Sequence, residues 1–149
     1  MIIIDDFIPN FELVRKFIDG VEYGDHDFFG KTYKGIAPVV LPVKGLIEEV
    51  CGPISIRLSH LRLGTKATPL THYIHADNSG ASWAAVICMS QPAIQTGTAF
   101  WTHKGTGLDR LPMPCPPDLF KQLDDDLTDV SKWELTSFVE SKENRALIF

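Results

Sequence analysis

Apolar positions along the chain change period near residue 54, and that change predicts a helical lead-in followed by a strand-rich region. Ile2-Ile3-Ile4 reads as a short strand. After Pro9-Asn10, the residues Phe11, Val14, Phe17 and Ile18 recur at helical spacing until Gly20 stops them. Glu22 to Pro42 carries Gly, Asp and aromatic residues without a sustained period, which predicts a long ordered loop with short extended pieces. Leu46 to Val50 fits a short helix closed by Gly52-Pro53. From Ile54 to Leu63 the pattern alternates, with Ile54, Ile56 and Leu58 on one face and Ser55, Arg57 and Ser59 on the other. A half-buried strand is expected there. Trp83 to Met89 is continuously apolar and predicts a strand covered on both faces, with Trp83 in the core. Thr98 to His103, after Gly97, is another expected strand, and Lys104-Gly105-Thr106-Gly107 a turn. Four prolines between Leu111 and Pro117 exclude regular structure. Pro117-Asp118 then opens a polar helix through Leu119, Phe120, Leu123 and Leu127, and Trp133–Val139 and Arg145–Phe149 are the last two strands.

Short strands separated by turn signals predict a mainly β fold with flanking helices, of the jelly-roll type; another antiparallel sandwich has the same periodicity. A single domain over 1–149 is expected, with a lead-in at about 1–53 and a β core at about 54–149. Composition agrees with an ordinary core: 44% of the 149 residues are hydrophobic and 22% charged. A formal charge of -5 and a pI near 5.4 disfavour nucleic acid as a bulk electrostatic partner. Cys51, Cys88 and Cys115 are odd in number and widely spaced, which suits free thiols in a reducing compartment. Asp5-Asp6 ends the apolar run at Met1–Ile4 too soon for a signal-peptide core or a membrane span. A cytoplasmic protein without a membrane partner is the expectation.

The chemistry-bearing stretch is Thr71-His72-Tyr73-Ile74-His75-Ala76-Asp77-Asn78. In an extended segment residues two apart share a face, so His75 and Asp77 are candidate ligands of one Fe(II), Mn(II) or Zn(II) ion. A solitary His-x-Asp also arises as a loop Asp beside an ordinary His, so the pair informs only in context. His72 faces the opposite side of a regular strand, and His60 and His26 have no partner in sequence. His103 is the leading substitute for a third ligand, its ordinary role being that of a surface or supporting His. Asn78 serves the turn before Gly80 or the metal site, and Trp83 and Trp101 read as core before pocket wall. Arg57, Arg62 and Lys66 are candidate anion contacts whose ordinary reading is solvated charge. Asp124-Asp125-Asp126 lacks the spacing of a calcium loop and reads as a solvated helix face.

Context comes from four segments in order: His75-Ala76-Asp77-Asn78, the apolar run Trp83–Met89, Gly97-Thr98-Ala99-Phe100-Trp101, and Asn144-Arg145-Ala146-Leu147-Ile148-Phe149. Over roughly Ile54 to Phe149 this resembles the non-haem Fe(II)/2-oxoglutarate-dependent oxygenases, nearest to prolyl-hydroxylase-type and phytanoyl-hydroxylase-type members of bacterial or phage origin. The resemblance implies a double-stranded β-helix of the cupin-like, jelly-roll class. It also implies Fe(II) held by His75 and Asp77, 2-oxoglutarate as cosubstrate, and hydroxylation of a small molecule, an amino-acid side chain or a nucleobase. It places the distal His and the 2-oxoglutarate anchor beyond Phe149. Read this way, the final strands are missing and the chain is a C-terminally shortened oxygenase; no catalytic residue can be assigned within it. Arg145 precedes the distal His position, so it is expected to support the sheet or an acidic neighbour rather than to anchor the cosubstrate.

Two other functions fit the same residues. One is an inactive family member or fragment that acts as a binding module. The other is a cupin-like protein that holds a different metal through His75, Asp77 and His103, which demands that the three converge within about 2.0–2.2 Å of one ion.

Overall fold

The computed structural model describes residues 1–28, 31–39, 41–64, 74–76, 82–92 and 96–149. In chain order its elements are β1 (Ile2–Ile4), α1 (Phe11–Asp19), β2 (Gly24–Phe28), β3 (Lys31–Ala37), α2 (Lys44–Cys51), β4 (Leu61–Arg62), β5 (Ala85–Ile87), β6 (Gly97–His103), α3 (Pro117–Asp125), a 3₁₀ turn (Val130–Lys132), β7 (Trp133–Glu140) and β8 (Ala146–Ile148). Helices and small, mostly antiparallel sheets thus share the chain, and the described strands close no barrel. The residues group in two compact units, Ile4–Pro69 and Met1–Ile3 with Leu70–Phe149.

In the first unit, α1 follows the expected spacing and buries Ile18. Its end is set at Gly20, whose N–H donates to the carbonyls of Phe17 and Ile18. The expected loop between residues 22 and 42 contains instead an antiparallel pair, β2 against β3, with Phe28 opposite Lys31 and Asp27 opposite Thr32. Asp25 and Asp27 are poor strand formers, so pairing rather than propensity holds β2 extended. β3 also receives β4 through Ile36↔Arg62 and Ala37↔Leu61, and Ile36, Ala37 and Leu61 are buried. Gly35 stands at φ 65, where a Cβ would lie 3.0 Å from the Leu63 carbonyl oxygen, so this crossing requires glycine.

The strand expected over Ile54–Leu63 shortens to β4. Residues 54–60 alternate as a strand would, yet they are irregular, and Ile56 and Leu58 are exposed. Alternation supplies two faces but no ladder partner, and the only strand pairing of this segment among the described residues is the contact of Leu61–Arg62 with β3.

The second unit is built on the three-stranded order β1-β8-β5. The central strand β8 is fully apolar, and Ala146, Leu147 and Ile148 are all buried. Opposite it, Ala85, Val86 and Ile87 pair antiparallel with Ile148, Leu147 and Ala146. Backbone bonds extend this ladder at both ends: Ala84 and Phe149 exchange N–H···O bonds of 2.7 and 2.9 Å, and Cys88 accepts from Asn144 and donates to Arg145. A turn closed by Arg145 N–H to Lys142 O leads into β8, with Asn144 at φ 56, a left-handed conformation that asparagine tolerates. The expected two-sided cover of Trp83–Met89 is not found: Trp83 is 44% and Val86 47% exposed. β5 lies at the end of the strand order, so an apolar run alone does not imply a central position.

β6 and β7 pair antiparallel from Gly97↔Glu140 to His103↔Trp133, close to their expected limits. A bulge at Thr136 shifts the register between Phe100 and Trp101, and the Thr136 hydroxyl donates to Phe100 O at 2.9 Å. Gly97 is demanded by close approach, since a Cβ there would clash with the Val139 carbonyl and stand 2.6 Å from Phe138 Cζ. Between the two strands, α3 starts at Pro117 and buries Leu123.

Candidate metal centre

His75 lies in the described segment 74–76, which belongs to no helix or strand. Its position is set by its predecessor: Ile74 N–H donates to Leu127 O at 2.9 Å, in the turn that follows α3. Ile74 is half-buried, whereas His75 and Ala76 are exposed, so the imidazole stands at the surface of a tethered backbone. Asp77 lies outside the described residues, as do His72, Asn78 and Lys66. Imidazole and carboxylate are an apt donor pair for a first-row divalent ion. Among the described residues, however, no group of three or more His, Cys, Asp or Glu side chains is placed to hold one. The described donors therefore do not make a complete iron shell, and no chemical step through a metal follows from them.

His103 is engaged within the protein at both ring nitrogens. It is 1% exposed, with Nδ1 at 2.9 Å from Thr106 Oγ1 and Nε2 at 3.0 Å from Asp126 Oδ2. Both ring nitrogens are thus engaged within the protein, and metal binding would have to break one of these bonds. Thr106 Oγ1 also accepts from Leu108 N–H at 3.4 Å. The Trp133 ring packs beside the imidazole at 4.8 Å between centroids, and Trp133 Nε1–H donates to Asp126 O at 2.9 Å. That same carbonyl accepts Asp129 N–H at 3.1 Å.

This corrects the reading of Asp124-Asp125-Asp126 as one solvated face. Asp124 and Asp125 are exposed, with Asp125 paired to Lys121, but Asp126 ties the end of α3 to β6 and β7. The sequence carries no local signal for this, because His103 and Asp126 are brought together only by the return of the chain.

Arg145 behaves as a support for the sheet, its Nη1 donating to Glu140 O at 2.9 Å. Cys51, Cys88 and Cys115 are free and half-buried. Arg57 and Arg62 are exposed, and burial followed by the nearby Arg62 charge pushes the His60 imidazole below its ordinary pKa. A shallow depression of about 380 Å³ runs along α3, lined by Asp118, Lys121, Gln122, Asp125 and Asp126. No family profile, curated protein or solved structure matches the chain. Among the described residues no helix is long and apolar enough to cross a membrane.

Proposed function

We propose that this chain carries the proximal half of the metal site of an Fe(II)/2-oxoglutarate-dependent hydroxylase, with His75 and Asp77 as its ligands and a double-stranded β-helix as its complete fold. The observation that supports this reading best is the exposed His75 imidazole on a hydrogen-bonded segment, followed by β5 in antiparallel register with β8. That is the order in which the resemblance requires the ligand pair, the first strand after it, and the Asn144-Arg145 strand. Iron would supply O₂ activation coupled to oxidative decarboxylation of 2-oxoglutarate. The part of this chain is to present one imidazole and one carboxylate, from His75 and Asp77. The substrate class is a small molecule or an amino-acid side chain.

The test is Fe(II)- and 2-oxoglutarate-dependent succinate formation, measured for the 149-residue chain and for a chain extended past Phe149. Turnover in the extended chain, abolished by His75→Ala and by Asp77→Ala with the fold retained, is the expected result. Metal binding that both substitutions leave unchanged would remove the oxygenase reading. A second reading, an inactive member that serves as a binding module, is favoured by the engagement of both His103 nitrogens, since His103 is the leading substitute ligand. Iron bound at His75 without succinate formation in the extended chain would select it.

A further inference from the structure

The metal-site reading makes no use of buried His103, whose surroundings have the geometry of an activated hydroxyl. We propose that Thr106 is a nucleophile that takes the acyl group of uncharged or cationic carboxylic esters, with His103 as its general base and Asp126 as the residue that positions that base. Thr106 Oγ1 lies 2.9 Å from His103 Nδ1, and Asp126 Oδ2 lies 3.0 Å from Nε2 on the other side of the ring. A hydroxyl is a weak nucleophile at its ordinary pKa. A base within hydrogen-bond reach, itself held by a third group, is the arrangement that activates it. The ring is 1% exposed, whereas Thr106 is half-buried between exposed Gly105 and Gly107, so the nucleophile stands nearer to solvent than its base.

Room for the reacting carbonyl comes from Gly105. A Cβ on that residue would stand 3.1 Å from His103 Cε1, 3.7 Å from His103 Nδ1 and 3.5 Å from Gln122 Nε2, so the base and a carboxamide converge on space that the absent side chain leaves open. Gln122 and Asp126 also line the shallow depression along α3, with Asp118, Lys121 and Asp125. Its carboxylates outnumber the Lys121 ammonium, which is already paired with Asp125, and this favours a neutral or cationic ester over an anionic one. In the step, Thr106 Oγ bonds to the ester carbonyl carbon and its proton passes to Nδ1, while the Asp126 carboxylate balances the imidazolium. The ester C–O bond then breaks and the alcohol leaves with that proton. Water adds to the acyl-threonine, releasing the acid and restoring the hydroxyl. The step starts from the tautomer with its proton on Nε2, which a carboxylate at that nitrogen favours.

The probe is p-nitrophenyl acetate, added to the full 149-residue chain without metal and read by a burst of p-nitrophenolate and by mass mapping of the acetylated peptide. Acetyl on Thr106 is the expected result. Thr106→Val nearly keeps the shape of the side chain but deletes the hydroxyl, and should remove both burst and label, whereas Thr106→Ser should retain them. Asp126→Asn still offers the ring an acceptor but cannot balance an imidazolium. It is expected to slow the burst about 100-fold while the amides of β8 stay protected, and Asp126→Glu to recover part of the rate. Gly105→Ala fills the space beside His103 and should slow acetylation with the hydroxyl still present, which keeps the test open if Thr106→Val does not fold. Acetyl confined to lysines and cysteines, with a burst that Thr106→Val and Gly105→Ala leave unchanged, would overturn the nucleophile assignment. p-Nitrophenyl hemisuccinate, an anionic ester, should react more slowly than the acetate, and a faster reaction would overturn the substrate class.

Discussion

His103 Nε2 lies 3.0 Å from Asp126 Oδ2, joining the last residue of β6 to the end of α3 across 23 positions of sequence. The ring is buried, so removing it leaves both a cavity and polar groups without their partner. His103→Ala is expected to destabilise the protein by about 3 kcal/mol. Urea unfolding checks this, and a loss below about 1 kcal/mol would mean that water replaces the imidazole at little cost.

Gly97 gives a second expectation, from sterics alone. A side chain there meets the Val139 carbonyl and the Phe138 ring. Gly97→Val should cost about 2–3 kcal/mol by overpacking, read as a fall in thermal midpoint, whereas Gly105→Ala should cost less because the nearest atom, His103 Cε1, is 3.1 Å away. Equal effects at the two glycines would contradict the close approach at Gly97.

Trp83 was expected in the core, where truncation costs about 3–5 kcal/mol. With 44% of its surface exposed, Trp83→Ala should instead cost about 1 kcal/mol. Its fluorescence in the folded protein should be open to quenching by iodide. A quenching-resistant Trp83 and a large stability loss together would restore the core assignment.

Glu48 contributes to the pH dependence. A hydrogen bond from Lys44, then one from Ile54 N–H, holds its carboxyl below the ordinary glutamate pKa. A folded-state pKa that is lowered favours the charged form, so this contribution is full above the ordinary value and is lost as pH falls through the folded one. Glu48→Gln should lower the urea midpoint near neutrality, and the difference from the unaltered protein should vanish once pH falls below the lowered folded-state pKa. A difference that persists unchanged in acid would assign the effect to packing.

Legibility in the sequence follows the range of the interactions involved. α1, β6, α3 and β7 are set by strong local signals: a clear apolar stripe, Gly20 as a stop, Pro117 as a start, and the Lys104–Gly107 turn. The β2–β3 pair escaped because Asp-rich segments are extended only by a partner, and residues 54–60 misled because alternation does not supply one. At the candidate site, the His75 motif is local and readable, while Asp77 lies outside the described residues. The Asp126 network depends on three segments meeting in space, and no periodicity encodes that.

The order β1-β8-β5 has a consequence for how this unit is made. β1 occupies residues 2–4 and β8 residues 146–148, so adjacent strands are widely separated in sequence and their pairing carries a very high contact order. During synthesis β1 must remain without this sheet neighbour until β8 has emerged. The same separation makes the β8 amides, buried in the middle of the ladder, reporters of cooperative opening rather than of local fraying.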